Sequence, residues 1–294
     1  MTERIKTRKI MNAQSNKTSL VWFITGTSNG FGHELVREAL RRGDSVIAAS
    51  RTPQKVAEVF AEHQDRLLAV AMDLGSRDQI TQAVAAGISR FGKVDVLVNN
   101  AGYGFIGAVE EATDDEIKRV HETNVFGLLR VLRAVLPHFR ERQSGHVVNL
   151  SSIGGLIGLP GFGIYNSTKF AIEGISEALA AEVAPLGIRV TIVEPGPFRT
   201  EFLAESLAMA ENEIPHYEKT AGAARLGASA RNGKQPGDPS RAAMAIIKAV
   251  TSEKPPLHLL LGRFAYDNAT AKTDRLQNEF EAWREVTLAA DFEN

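Results

Sequence analysis

Residues 20–50 read LVWFITGTSNGFGHELVREALRRGDSVIAAS. An unbroken apolar run is followed at once by TGTSNGFG (Thr25–Gly32), then by an amphipathic helical stretch closed by Gly43, and then by a second apolar run. This order is that of a strand, a tight glycine-rich turn, a helix and a parallel strand. Glycines at 26, 30 and 32 let the backbone turn sharply and come close to a ligand. The helix that follows presents free N–H groups and the positive end of its dipole, which suits a pyrophosphate. The spacing is TGxxxGxG and not the common GxGxxG fingerprint, so the argument rests on the loop's placement between strand and helix.

The same rhythm continues downstream. Strand-like runs LLAVAMDL, VDVLVNNAG, HVVNLSS, IRVTIVEPG and LHLLLG alternate with helical stretches PQKVAEVFAEHQD, SRDQITQAVAAGISRFG, DDEIKRVHETNVFGLLRVLRAVLPHFRER, IYNSTKFAIEGISEALAAEV and DPSRAAMAIIKAVTSE. Strands this continuously apolar are buried on both faces. Strict strand–helix alternation then predicts an α/β fold: one domain with a doubly wound (Rossmann) parallel sheet of seven strands and helices on both faces. Gly43, Gly92 and Gly187 stand where helix C-caps are expected.

Three segments depart from the rhythm. Residues 1–19 are polar and basic and predict a disordered tail ahead of a catalytic domain at 20–262. Residues about 201–238, rich in small residues and ending in Gly and Pro, read as a mobile substrate lid. Residues 263–294 read as a helical extension whose Phe264, Phe280 and Trp283 pack against the body or a neighbouring subunit.

Composition excludes several classes. The chain has 294 residues, 44% of them hydrophobic, and a net charge of −1 with both signs interspersed. No global field draws it to nucleic acid or an anionic membrane. With no cysteine there is no disulfide, thiolate metal site or thiol nucleophile, and the seven histidines lack metal-binding spacing. No apolar run approaches the ~18 residues of a membrane span. The expectation is a cytoplasmic protein.

At the end of the second strand, where NAD-binding folds place an acid, stands Ser50 followed by Arg51. A guanidinium there can hold a 2′-phosphate, so NADP(H) is favoured, with NAD(H) left open. Asp73 ends the third strand and can either meet an adenine amino group or cap the next helix, for which Ser76 is the better cap. Asn99-Asn100-Ala101-Gly102 ends the fourth strand, and asparagines at a buried strand end are explained best by lining a crevice.

Tyr165 and Lys169 lie four residues apart on a helical stretch, hence on one face. A phenol has a pKa near ~10, and a nearby ammonium favours phenolate. Bringing it to about 7 takes roughly 4 kcal/mol, within reach of a lysine plus a second cation in a partly dry cleft. Ser152 lies thirteen residues before the tyrosine, and that spacing selects it over Ser151.

Taken in order and spacing, Thr25–Gly32, Asn99–Gly102, Asn124, Ser152, Tyr165, Lys169 and Pro195-Gly196 followed by Thr200 resemble the shorter, single-domain branch of the short-chain dehydrogenase/reductases over about residues 20–262. The likeness is to bacterial NADP-linked members related to retinol and hydroxysteroid dehydrogenases. It implies that Tyr165 exchanges a proton with a carbonyl or alcohol oxygen, that Ser152 steadies that oxygen, and that Lys169 tunes the phenol and holds the nicotinamide ribose. Asn124 would disturb its helix and hold a water relaying protons to Lys169. The resemblance also implies a cofactor site of Gly26, Ser28, Asn29, Gly30, Phe31, Gly32, Arg51, Asp73, Leu74, Asn99, Ala101, Gly102, Tyr165, Lys169, Pro195, Gly196 and Thr200. One departure is Asn29, where some NADP-linked members carry Arg or Lys, so the preference leans on Arg51. The helices of Asn124 and Tyr165 would form a dimer contact, with small residues Ala171, Gly174, Ala178 and Ala181 allowing close approach, giving a homodimer or homotetramer.

Substrate walls are expected from Ile153, Leu156, Leu159 and Phe162, from Tyr103–Ile106, and from Phe198–Leu203 including Phe202. Their apolar character points to a lipophilic ketone or secondary alcohol, interconverted by NADP(H)-linked hydride transfer. Two other readings are a nucleotide-sugar epimerase and an NADP(H)-sensing regulator without turnover. The first lacks its usual loop spacing and substrate domain, and the second has no need of Ser152, Tyr165 and Lys169.

Overall fold

The computed structural model describes residues 19–203 and 206–292. The expected basic tail, apart from Ser19, lies outside the described residues. All seven expected strands form one parallel sheet: β1 (Val21–Thr25), β2 (Ser45–Ser50), β3 (Leu67–Ala71), β4 (Val96–Asn99), β6 (Gly145–Leu150), β7 (Ile188–Pro195) and β9 (His258–Leu261). Their order is β3-β2-β1-β4-β6-β7-β9. The chain builds outward from β1 to β3, then crosses back to place β4 against the other edge of β1, with Trp22 opposite Val96. That reversal opens a crevice at the carboxyl ends of β1 and β4. Two short strands, β5 (Gly104–Ile106) and β8 (Leu207–Met209), pair separately above it.

Both faces of the sheet are covered, which is why the strands read as unbroken apolar runs. Alternation along β1 sends Trp22 and Ile24 to one side and Val21 and Phe23 to the other. The first side packs under α1 (Gly30–Arg42), α2 (Pro53–Val59) and α8 (Pro239–Val250). The second packs under α3 (Arg77–Phe91), α5 (Leu128–Arg142) and α6 (Gly163–Val183). Gly43 and Gly92 cap α1 and α3 in the left-handed conformation, and Ser76 caps the start of α3 through the Gln79 N–H at 3.3 Å. Gly187 does so one 3₁₀ turn beyond α6.

The long run at 114–142 is not one helix. α4 (Asp114–His121) passes into a π turn at Glu122–Gly127 before α5 begins. The cause is Asn124, which is 1% exposed and bonds outside its own helix: Nδ2 donates to Tyr103 O at 2.9 Å and to Thr168 Oγ1 at 3.1 Å, and Oδ1 accepts from Tyr103 N at 3.0 Å.

Residues 206–231, within the expected lid, carry regular elements and side-chain ties to the body. They form β8, short turns and α7 (Ala223–Arg231). Buried Glu111 accepts from Ala108 N at 2.7 Å, Ile214 N at 2.9 Å and Arg225 Nη2 at 2.5 Å, and Glu116 accepts from Glu211 N at 3.0 Å. α9 (Arg263–Ala282) buries only Ala265 and Ala269, against Ile153 and Ile157. Phe280 and Trp283 are 67% and 62% exposed on this chain, so of the two expected packings, on the body or on a neighbouring subunit, the first is not made. No described helix is long and apolar enough to cross a membrane.

Candidate active site

A cleft of about 1260 Å³ opens where the sheet order reverses. At its nucleotide end the loop Thr25–Gly32 packs against the end of β4. A Cβ on Gly26 would meet Ala101 Cα at 2.8 Å, and one on Gly32 would meet Gly26 O at 2.2 Å. These positions must be glycine for the loop to lie so low. Asn100 locks it there, Nδ2 donating to Thr25 O at 2.8 Å and Gly26 O at 2.9 Å, while Thr25 Oγ1 accepts from Asn100 N and Ala101 N at 3.0 Å. α1 begins with no side-chain cap and no acid in its first turn, so its N-terminal N–H groups are left for an anion. These residues fit a nicotinamide dinucleotide.

Most expected cofactor residues line this cleft: Gly26, Ser28, Asn29, Gly30, Phe31, Arg51, Asp73, Leu74, Ala101, Gly102, Pro195, Gly196 and Thr200. Two do not. Gly32 lies behind the loop as a packing residue. Asn99 is turned into the interior, where Nδ2 donates to Asn149 Oδ1 at 2.9 Å and the chain of bonds runs on to Ser176. The strand's two-residue period decides this: Asn99 faces the sheet side, and Asn100 reaches the edge. Lys55, one turn into α2, joins Arg51 on the wall; sequence reading missed it, although its four-residue spacing from Arg51 was visible. Asp73 receives Gly75 N at 2.7 Å.

At the other end, Ser152, Tyr165 and Lys169 all face the cleft, Ser152 from the end of β6 and the pair from α6. Lys169 Nζ lies 5.7 Å from the centre of the Tyr165 ring and donates to Leu150 O at 2.8 Å. Burial dominates the electrostatics. It pushes the Tyr165 phenol up to about 12, with only a hydrogen bond from Ser152 opposing, and lowers Lys169 to about 8 against the pull of Glu173. Asn124 stands behind the cleft, its Oδ1 3.0 Å from where a Cβ on Gly102 would lie.

Phe162 and Phe202 flank Tyr165, with ring centres 6.4 and 5.6 Å away. Ile153, Leu159, Tyr103, Leu203 and Leu207 complete these walls. Phe105 and Ile106, also expected there, are instead core residues of β5. Phe198 also lines the cleft and meets Phe31 of the nucleotide loop edge-on at 5.1 Å. Behind Lys169, donor atoms of Glu173, Glu194 and His258 lie within 4.8 Å of one another. Histidine spacing alone could not reveal this group, because its members come from α6, β7 and β9.

Residues 20–211 match the family model described as short chain dehydrogenase. The oxidoreductase BOA17 of Botryotinia fuckeliana is 39% identical over 92% of this chain and 98% of that protein. A 3-ketodihydrosphingosine reductase of Bacteroides thetaiotaomicron is 36% identical over 81% and 86%. The crystal structure of a short-chain dehydrogenase from Streptomyces avermitilis superposes with a TM-score of 0.87 at 42% identity, covering 94% of this chain and all of that one. More distant neighbours, both at a TM-score of 0.69, hold NADH (Brucella melitensis, 28% identical, covering 82% and 96%) and NADP (Burkholderia cenocepacia, 25% identical, covering 90% and 97%). A match that begins at β1 and relatives that run along nearly the whole length make this chain a member of the short-chain dehydrogenase/reductase family, NAD(P)-dependent oxidoreductases.

Proposed function

We propose that this enzyme reduces a ketone on a lipophilic molecule with NADPH, Tyr165 acting as the general acid. The observation that carries this reading is Tyr165 held between Phe162 and Phe202 with its proton retained by burial. A neutral phenol is the form that donates, and an apolar vestibule admits an apolar carbonyl compound. Bound reduced nicotinamide supplies the hydride to the carbonyl carbon. As charge gathers on the oxygen, Ser152 donates a hydrogen bond to it and Tyr165 passes it a proton, which solvent later replaces. Lys169, anchored on Leu150 O, keeps positive charge beside the phenolate left behind. The 36% identical Bacteroides relative is by its name a ketone reductase, which supports the substrate class.

Arg51 and Lys55 at the far end of the cleft support NADP(H) over NAD(H). The segment at 206–231 is read as the wall that closes the substrate end, and the outer faces of Phe126 and Phe170, each about half exposed, support pairing of two copies through those helices. Oxidation of NADPH over a panel of apolar and polar ketones tests the proposal. Turnover of apolar ketones, lost in Tyr165→Phe while NADPH binding persists, is expected. Binding without turnover of any carbonyl compound would favour a sensor instead.

A further inference from the structure

Tyr165, Lys169, Glu173 and Glu177 recur every four residues along α6, so the acid Glu173 stands one turn behind the catalytic lysine. Glu173 is 5% exposed and Glu194, on β7, is fully buried. Each leaves one carboxylate oxygen, Oε2, buried without a partner among the described residues. His258 Nδ1 lies 2.6 Å from Glu194 Oε1 and 3.9 Å from Glu173 Oε2, its Nε2 lies 3.8 Å from Glu177 Oε1, and its ring is 41% exposed. Ser151 Oγ donates a short hydrogen bond to Glu173 Oε1, and Gly155 packs so tightly that an added Cβ would stand 2.7 Å from that oxygen. Ser151 sits between Leu150, whose carbonyl receives Lys169, and Ser152, which faces the cleft.

We propose that Glu173 is a positioning residue that shares one proton with Glu194, that this proton exchanges with solvent through His258, and that it governs the charge of Lys169 and the set of the β6 end. The inference rests on the reductase reading for its kinetic consequence, not for the proton itself. With both carboxylates ionised, two negative charges lie buried in one cluster and two oxygens have no donor among the described residues, an arrangement that burial penalises. One proton on the pair lowers that charge, and the ligand atoms of the cluster, all within 4.8 Å of one another, are close enough for the two acids to compete for it. Burial accordingly raises Glu173 to about 7, with the Ser151 hydrogen bond and His258 opposing and Glu194 and Glu177 reinforcing; Glu194 is raised too. The groups facing Glu173 are Lys169 and Glu177 from α6, Ser151 from the turn after β6, Glu194 from β7 and His258 from β9. When the shared proton leaves, the added negative charge favours the ammonium of Lys169; when it returns, that support weakens.

Carbon-13 NMR of glutamate-labelled enzyme, titrated in parallel with NADPH-linked kcat/KM, tests the proposal. A glutamate carboxyl titrating near neutral pH is expected in the native enzyme and should vanish in Glu173→Gln. In that variant the alkaline limb of kcat/KM should move down by about one pH unit, a roughly tenfold loss on that limb, with NADPH affinity kept. Ser151→Ala retains both carboxyls and should move the carboxyl titration upward, which guards against a misfolded Gln variant. Carboxyls that all titrate in the ordinary acidic range would overturn the proposal. So would a stoichiometric divalent metal in the purified protein whose removal abolishes the near-neutral titration. A near-neutral carboxyl in an enzyme inert to every ketone would keep the proton pair and remove only the reductase reading.

Discussion

Lys169 places its ammonium 5.7 Å from the centre of the Tyr165 ring while fastened to the carbonyl of Leu150 at 2.8 Å. The lysine is thus a fixed charge beside the phenol and not a hydrogen-bond partner to it. Its field stabilises phenolate only while the ammonium survives, and burial brings that ammonium down to about 8. A lysine so lowered is charged below about pH 8 and loses its charge as pH rises through that value.

The kinetic consequence is an alkaline limb near pH 8 in kcat/KM for reduction. Lys169→Met should cut kcat/KM by about 10²- to 10⁴-fold, the range of a disabled acid–base pair, and erase that limb. An alkaline limb unchanged in the folded variant would assign it to another group.

Cofactor choice is tested at the opposite end of the cleft. Arg51 and Lys55 both line the cleft, and a 2′-phosphate held by them would receive charge-assisted hydrogen bonds. Arg51→Ala should weaken NADPH binding by about 10- to 100-fold and leave NADH nearly unchanged, with Lys55→Ala acting in the same direction more mildly. Fluorescence titration with both nucleotides measures it. Equal losses for the two would remove the phosphate argument.

The parts of this molecule that were legible in sequence are those governed by short-range periodicity. Seven apolar runs became seven strands because sheets covered on both faces need no polar alternation, and Tyr165 met Lys169 because a helix guarantees that i and i+4 share a face. Placement next to a buried strand also sufficed for the glycine loop. What escaped notice depends on side-chain direction or on distant partners. Asn99 and Asn100 look equivalent on paper, yet alternation sends one inward and one to the crevice. Phe198 lines the cleft and meets Phe31 of the nucleotide loop. Glu173, Glu194 and His258 read separately as a helix acid, a strand end and a strand start, and only the parallel pairing of β7 with β9, Ile192 opposite His258, unites them. The segment after β7 is small and polar in composition, and its ties to Glu111 come from far upstream in the chain, where no local pattern announces them.

That anchor has a measurable stake in stability. Glu111 has no exposed side-chain surface and Arg225 is 10% exposed, so the pair is a buried ion pair with two further backbone donors on the acid. Glu111→Gln leaves the guanidinium with only the exposed Glu213, 4.0 Å away, as a counter-charge and should destabilise the protein by about 2–3 kcal/mol. Hydrogen exchange should rise selectively across 206–231, and kcat/KM for large apolar ketones should fall more than for small ones. Uniform exchange changes across the whole sheet would show the pair to be a global strut instead.

A last prediction concerns acid stability. His146 on β6 is 5% exposed, with Nε2 2.9 Å from Thr191 Oγ1, and burial, helped by Arg189, lowers it from 6.5 to about 4 against a hydrogen bond to Val250. The native state therefore keeps this imidazole neutral where the unfolded chain protonates it. The stabilisation is complete above about pH 6.5 and is lost progressively as pH falls toward 4, by roughly 3 kcal/mol in all. Urea unfolding at pH 7 and pH 4.5 should show this loss in the native protein. His146→Gln keeps a polar group near Thr191 but cannot titrate, so its stability should change less between the two pH values. If the native protein and the variant lose stability in parallel, the acid sensitivity belongs to the carboxylates and not to this histidine.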